Sequence, residues 1–243
     1  MRRIHVDVVM ANKLFSHAEG RRVTAALERQ VQGEFAAAWN VTADVHFVGK
    51  PENAHSGAWQ LVLLDENEEG AYGYHQLTRE GLPLGKVFLR IAMKSPTTWA
   101  STASHELLEL LVNPDTTMGT FVYDKDAGGR VYSLEICDPC QDDPFCYRLG
   151  ETWVSDFVHP AWFETWRKRG SAQFDHAKRL TRPFQIAKGG YASFYDARKR
   201  KWVNESGGRE TPSLIPDFGY ANRGGSRRSL RAVPRPLWKK SKS

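Results

Sequence analysis

The order of hydrophobic and polar positions predicts a mixture of strands and helices along most of the chain. Residues 4–10 (Ile-His-Val-Asp-Val-Val-Met) alternate in the way that is typical of a strand. From Ser16 to about Trp39, apolar residues recur every three or four positions, which predicts one long amphipathic helix. Shorter apolar runs predict strands at Val45–Val48, Trp59–Leu64 and Lys86–Ala92, and a strand or loop at Ala71–Leu77.

A second helix is predicted between Ser95 and Asn113. Ser95 is suited to cap the first free backbone N–H groups, and Pro96 is suited to the first helical position. Asn113 precedes a proline, which pushes it out of the α region and ends the helix. An apolar stripe at helical spacing consists of Ala100, Ala103, Leu107, Leu110 and Leu111.

Three polar residues interrupt this apolar helix, and they predict a metal site. His105 and Glu109 are four residues apart and therefore lie on one face, where both can bind one ion. Glu106 lies about 100° further round the helix, within reach of a water on that ion. The alternative is a helix whose carboxylates face solvent. Because Glu109 stands between two leucines, we expect it instead to be buried with a partner.

A zinc site of this kind needs a third protein ligand from outside the helix. Residues Thr120–Asp124 and Arg130–Cys137 are predicted to form a hairpin, with Glu135 on the polar face of its second strand. Glu135 is the first choice for the third ligand, Asp138 the second and His159 the third. Exposure of Glu135 on an outer sheet face is the alternative that remains open.

The three cysteines and two further polar residues are ambiguous. Cys137, Cys140 and Cys146 do not form the two pairs that a structural zinc site usually has. We therefore expect ordinary thiols, with a Cys140–Cys146 disulfide or a second metal as the alternatives. Asp156 and His159 are candidates to hydrogen-bond the metal ligands, or else simply cap nearby backbone groups.

The C-terminal part of the chain changes character after Gly170. Before Gly170, Pro160 is predicted to begin a helix whose inward side chains are Trp162, Phe163 and Trp166. After Gly170, a small β-meander is predicted, with strands at Phe184–Ala187, Tyr191–Tyr195 and Lys201–Asn204. We therefore predict three regions: a metal-binding domain at 1–170, the meander packed on it at 171–205, and a flexible basic tail at 206–243.

Composition and charge narrow the possible functions. The chain of 243 residues is 41% hydrophobic and 12% aromatic, which indicates a globular protein. It has neither an apolar run of membrane-spanning length nor a signal peptide pattern, so we expect a cytoplasmic protein. The net charge is +6, but residues 223–243 hold eight of the basic residues and no acid. Because residues 1–222 are left with 26 basic against 28 acidic side chains, any nucleic acid should bind through the tail.

The strongest resemblance is to the zincin-like metallopeptidases. The order His-Glu-x-x-Glu resembles their His-Glu-x-x-His, with Glu109 in place of the second histidine. The strings from Ser104 to Asp115, Glu135–Pro139, Val154–Val158 and Pro160–Phe163 also resemble poorly characterised bacterial and phage proteins with this motif. The resemblance implies an α+β, zincin-like fold with a mixed β-sheet, and a cleft edged by the strand just before the active-site helix. It also implies a possible phage origin.

Three functions follow as expectations. The first is a zinc-dependent peptidase acting on a peptide or protein substrate, with His105, Glu109 and Glu135 on the ion and Glu106 as the general base. The second is a non-catalytic protein of the same fold that binds a partner or belongs to a phage particle. The third is a nucleic-acid-associated protein that holds phosphates through residues 223–243, a role compatible with either of the others.

Overall fold

The fold is a mixed α+β arrangement of two main sheets and a small hairpin around one large hydrophobic core. The computed structural model describes residues 4–65, 72–92, 99–125, 128–141 and 143–207. The predicted helix cap at Ser95 and Pro96 and nearly all of the predicted tail lie outside these residues. In the described ranges, no helix combines the length and apolar character that crossing a membrane would need.

The first sheet has five strands in the order β2-β1-β3-β5-β4. Four strands are parallel, and the edge strand β4 runs antiparallel to β5. The strands are β1 (Ile4–Ala11), β2 (Ala43–Val48), β3 (Trp59–Leu64), β4 (Gly73–Leu77) and β5 (Pro83–Phe88). The strand that precedes the helix carrying His105 is therefore β5, which is paired on both sides. The expectation that the strand before this helix lies at the edge of the cleft is wrong, because the edge strand of the sheet is β4.

Alternation along β1 gives the sheet two different faces. Val6, Val8 and Met10 are buried in the main core, whereas Val9 joins a small cluster on the other face with Val48 and Val62. Period-two alternation sends successive side chains to opposite faces, so a central strand with both faces covered is apolar on both. The main core lies on the face that carries the helices.

The long N-terminal helix is not confirmed as one continuous element. Ser16 caps its start, as its side chain accepts a hydrogen bond from the Glu19 backbone N–H. The chain then forms α1 (His17–Gln30), a π-helical segment (Val31–Phe35) and α2 (Ala36–Trp39). Gly33 has φ −97° and ψ −110°, which is not helical. A glycine carries no Cβ to resist such a conformation, so the apolar stripe continues while the helix is interrupted.

Helix α4 (Trp99–Val112) is enclosed by the rest of the fold. It follows the short helix α3 (Leu89–Ala92), so the predicted strand Lys86–Ala92 is half strand and half helix. Of the fourteen residues of α4, all except Thr102 are buried. The helix packs against β4 and β5, against α1, and against the strand Thr152–Val154. Such a helix has no solvent-facing side on which its charged residues could lie.

The second sheet joins the predicted hairpin to the predicted meander. Its strand order is β11-β10-β7-β6, and a separate hairpin pairs β8 with β9. The strands are β6 (Gly119–Asp124), β7 (Gly128–Ser133), β8 (Tyr147–Leu149), β9 (Thr152–Val154), β10 (Tyr191–Asp196) and β11 (Lys201–Ser206). The predicted strand at Phe184–Ala187 is absent: Phe184 lies in a turn with φ +52°, and residues 185–187 have no regular secondary structure.

The aromatic segment after Pro160 differs from the prediction in length and in one side chain. Pro160–Phe163 is a single 3-10 turn rather than a longer helix. Trp162 and Phe163 are buried as predicted, but Trp166 is 72% exposed. Because the helix ends at Phe163, the helical spacing that would have turned Trp166 inward does not apply to it.

Candidate metal centre

The His-Glu helix brings three polar side chains into the core. His105, Glu106 and Glu109 are only 9%, 6% and 4% exposed. The solvent-facing alternative is therefore wrong for all three. Burying an ionised carboxylate is costly unless it is paired or binds a metal, so the surroundings of these groups decide what they do.

The ring of His105 lies between two carboxylates. Its Nε2 atom is 3.1 Å from Glu109 Oε2 and 3.2 Å from Asp138 Oδ1. Ligand atoms of a tetrahedral zinc ion, each about 2.1 Å from the metal, lie about 3.4 Å from one another. The two contacts of His105 thus have the spacing of ligand pairs round one ion. Asp138, the second choice from the sequence, is the acid that lies against His105.

Glu135 lies beside a different histidine, one that the sequence did not single out. Its Oε2 atom is 3.8 Å from His75 Nε2, on the edge strand β4. Among the described residues, two groups of three donor atoms lie within 4.8 Å of one another: His105 with Glu109 and Cys137, and His75 with Glu109 and Glu135. Neither the predicted trio of His105, Glu109 and Glu135 nor the set of His105, Glu109 and Asp138 is one of these groups. Glu109 belongs to both.

Hydrogen bonds hold one oxygen of each of these carboxylates and leave the other. The Cys137 backbone N–H donates to Glu109 Oε1 at 3.0 Å, while Oε2 faces His105. Asn113 Nδ2 and Ser133 Oγ both donate to Glu135 Oε1 at 3.1 Å. The Glu135 Oε2 atom is buried and receives no hydrogen bond within the described part of the chain.

Asp138 shows the same pattern in the 3-10 turn after Cys137. The Tyr191 hydroxyl is hydrogen-bonded to the Asp138 carboxyl. The Asp138 Oδ1 atom is buried and lies 3.2 Å from His105 Nε2. Ligating carboxylates are commonly fixed by such outer hydrogen bonds. The arrangement therefore suits a metal ligand as well as an ion pair with a protonated imidazole.

The ionisable groups of the cleft perturb one another strongly. Burial raises the pKa of Glu135 to about 8 and that of Asp138 to about 7, with Glu109 adding to both shifts. Burial also raises the pKa of Glu106. For His105 burial acts in the opposite direction, but the Glu109 and Asp138 carboxylates outweigh it and raise its pKa well above the usual value. Four acids around two imidazoles make the cleft strongly attractive to a cation.

Glu106 lies on the floor formed by β4 and β5. Its Oε2 atom is 3.8 Å from His75 Nδ1. A Cβ atom at Gly73 would lie 2.7 Å from Glu106 Oε1, and a Cβ at Gly85 would lie 3.9 Å from the Glu106 Cβ. The glycine at position 73 therefore leaves the space that the Glu106 carboxylate occupies.

The cysteines are buried or half-buried thiols, as expected. Cys137, Cys140 and Cys146 form no disulfide bond with one another. The Cys140 thiol points back to the Cys137 carbonyl at 3.5 Å. Burial raises the pKa of the Cys137 thiol well above its usual range, with Glu109 and Asp138 adding to the shift. Cys137 belongs to the first donor group through its Sγ atom, and its backbone N–H donates to Glu109 Oε1.

Asp156 and His159 do not contact the metal-ligand candidates in the hydrogen bonds of the described chain. Asp156 Oδ1 accepts from the backbone N–H groups of Phe157 and Ala177. The His159 ring stacks on Phe157 with centroids 5.7 Å apart. His159, the third choice for a ligand, is in neither donor group. Asp156 caps backbone groups, which was the alternative left open for it.

The residues that sequence reasoning missed are His75, Asn113 as a positioning residue, and Gly73. Asn113 was identified only as the end of the helix, yet its carbonyl oxygen lies 3.0 Å from His75 Nε2. The spacing Gly-x-His puts Gly73 and His75 on one face of β4. That signal is visible in the sequence, but it carries meaning only once β4 is known to lie beside α4.

Comparisons with known proteins do not assign this chain to a family. No family model, no curated protein and no solved structure matches it. The zincin-like resemblance therefore rests on the motif and on the order of elements.

Proposed function

We propose that this protein is a zinc-dependent hydrolase of peptide bonds, with a zincin-like arrangement of a metal-bearing helix beside a mixed sheet. His105 and Glu109 would hold the ion, Asp138 would be the third ligand, and Glu106 would be the general base. The observation that carries the proposal is the position of His105 Nε2, 3.1 Å from Glu109 Oε2 and 3.2 Å from Asp138 Oδ1.

The donor set suits zinc. Imidazole nitrogen and carboxylate oxygen are both common zinc ligands, and catalytic sites use three protein ligands with a fourth position left for water or substrate. A zinc ion there would polarise a substrate carbonyl and lower the pKa of coordinated water. The buried Asp138 Oδ1 supports this assignment, because it lies 3.2 Å from His105 Nε2, where one ion could contact both atoms.

Glu106 has the properties of a general base in such a site. It is adjacent to the ligand His105 but forms no part of either donor group. Burial raises its pKa, which brings the carboxylate closer to the range where a base works best near neutral pH. Glu106 would take a proton from the attacking water and deliver it to the leaving amine.

The test separates the ligand from the base. The full-length protein, His105→Ala and Glu106→Gln should be compared by elemental analysis and by hydrolysis of a mixture of unstructured peptides. His105→Ala should lose the tightly held zinc. Glu106→Gln should keep zinc and the fold but lose about 10² to 10⁴ in rate. Glu28→Gln, a half-buried glutamate of α1, is the matched control and should change neither measurement.

Each half of the proposal has its own contradicting result. Equal zinc content in wild type and His105→Ala would remove the metal centre. An unchanged rate in Glu106→Gln would leave the metal but reassign the base. If wild type holds zinc and cleaves no peptide at all, the non-catalytic alternative is favoured.

A further inference from the structure

Two donor groups meet at one carboxylate in the cleft. Glu109 lies within 4.8 Å of His105 and Cys137 on one side and of His75 and Glu135 on the other. An ionised carboxylate has about four lone-pair positions, so Glu109 can accept the Cys137 N–H bond and still contact two cations. The proposed zinc ion uses only the first side.

The second donor group, His75 with Glu109 and Glu135, is also held in place by hydrogen bonds. Asn113 is fully buried and contacts both His75 and Glu135. The backbone carbonyl oxygen of Asn113 lies 3.0 Å from His75 Nε2, and the Asn113 side-chain Nδ2 donates to Glu135 Oε1 at 3.1 Å. Ser133 Oγ adds a second hydrogen bond to the same Glu135 oxygen. What remains is Glu135 Oε2, buried and without a hydrogen bond in the described chain, 3.8 Å from His75 Nε2. Because the Nε2–H group donates to the Asn113 carbonyl, Nδ1 is the His75 nitrogen left to bind an ion.

We propose that the cleft binds two divalent cations that share Glu109, the second held by His75 and Glu135. This inference rests on the proposed function for the first ion. Sites with two ions about 3.5–4 Å apart occur in hydrolases, where the pair holds both the attacking and the leaving group. Glu135 is then a metal ligand, as the sequence predicted, but for a second ion beside His75.

The experiment counts ions in matched variants. The full-length protein is dialysed against buffered Zn²⁺ and its zinc content measured; the same proteins are loaded with Mn²⁺ and examined by electron paramagnetic resonance. Wild type should hold two zinc ions per chain and show exchange-coupled Mn²⁺. His75→Asn and Glu135→Gln should each hold one and lose the coupling. Glu135→Gln can keep both hydrogen bonds to Oε1, so its effect would be on the ion rather than on the fold.

A histidine cluster on the opposite face of the first sheet provides the control. His46 lies about midway between His5 and His55, with ring centroids 6.1 and 6.0 Å away, and exposed imidazoles can bind zinc adventitiously. His46→Asn should therefore still hold two ions. Loss of the second ion in His46→Asn, or of both ions in His75→Asn, would overturn the shared-carboxylate site.

The count in wild type separates the two proposals. A single zinc ion, lost in His105→Ala and unaffected by His75→Asn, would refute the second ion and leave the proposed function intact. A wild-type protein with no zinc would refute both.

Discussion

Replacing Ser104 by alanine should destabilise the fold out of proportion to the one atom removed. Ser104 precedes His105 on α4 and is fully buried. Its hydroxyl donates to Gln30 Oε1 at 2.6 Å and accepts from the Ser155 N–H at 3.0 Å. Gln30 Nε2 in turn donates to the Ser155 carbonyl and the Tyr147 hydroxyl. This network ties α4 to the end of α1 and to the segment after β9.

The size of the effect follows from what the substitution leaves behind. Ser104→Ala removes two hydrogen bonds and strands two buried partners, the Gln30 oxygen and the Ser155 N–H. Each buried group left unpaired costs about 1–3 kcal/mol. The expected loss is therefore about 4 kcal/mol of unfolding free energy, within a range of about 2–6. Against a typical domain stability of about 5–15 kcal/mol, that is a large fraction.

The assay is equilibrium unfolding in urea, followed by fluorescence and circular dichroism. Ser193→Ala is the matched control, since it also removes a serine hydroxyl that donates one hydrogen bond, but at an exposed site on β10. It should change the free energy of unfolding by less than about 0.5 kcal/mol. A loss below about 1 kcal/mol for Ser104→Ala would refute the reasoning, because it would mean that the stranded groups find other partners.

Two further changes test the floor of the cleft and a buried acid away from it. Gly73→Ala should lower the rate of hydrolysis about as much as Glu106→Gln and leave the zinc content unchanged. The reason is that the new Cβ would lie 2.7 Å from Glu106 Oε1 and 2.8 Å from the Lys86 carbonyl oxygen. An activity within about twofold of wild type would contradict this prediction. Burial and the neighbouring Asp175 carboxyl raise the pKa of Asp156 to about 8 from 3.8, so the folded state binds a proton that the unfolded state releases, and stability falls as pH rises between these values. Between pH 5 and 8 this proton release should lower the free energy of unfolding of wild type by up to about 4 kcal/mol, and Asp156→Asn should not show this decrease. Urea unfolding across that pH range measures it. An equal pH dependence of stability in the two proteins would count against the raised pKa of Asp156.

Features of the chain that depend on near neighbours could be predicted from the sequence. The apolar period of α4 and its end at Asn113 were predicted, and the backbone N–H of Asn113 closes the last turn on Glu109 O at 2.8 Å. The burial of Glu109 was predicted because leucines flank it, and this is confirmed at 4% exposure. These predictions hold because the helix period alone fixes which residues share a face.

Glu135 shows where local patterning stops being informative. Alternation through residues 130–137 placed it on the polar face of a strand, but β7 ends at Ser133. Beyond that point the chain turns to bring Cys137 N–H onto Glu109, and the alternation no longer sets the direction of side chains. The contacts of Glu135 with Asn113 and Ser133 come from this turn, which the spacing of residues does not encode.

The half of the cleft that contains His75 depends on strand order, which no local pattern carries. His75 is thirty positions before His105, and it lies across from Gly85 because β4 pairs antiparallel with β5 at the sheet edge. Had β4 lain at the opposite edge, beside β2, the same residues would have had the same alternation and no contact with α4. A helix buried on nearly every side shows from its sequence that its charged residues need partners. Which partners they find depends on how the sheet is ordered around them, and here that order supplies an imidazole and a glycine from one short edge strand.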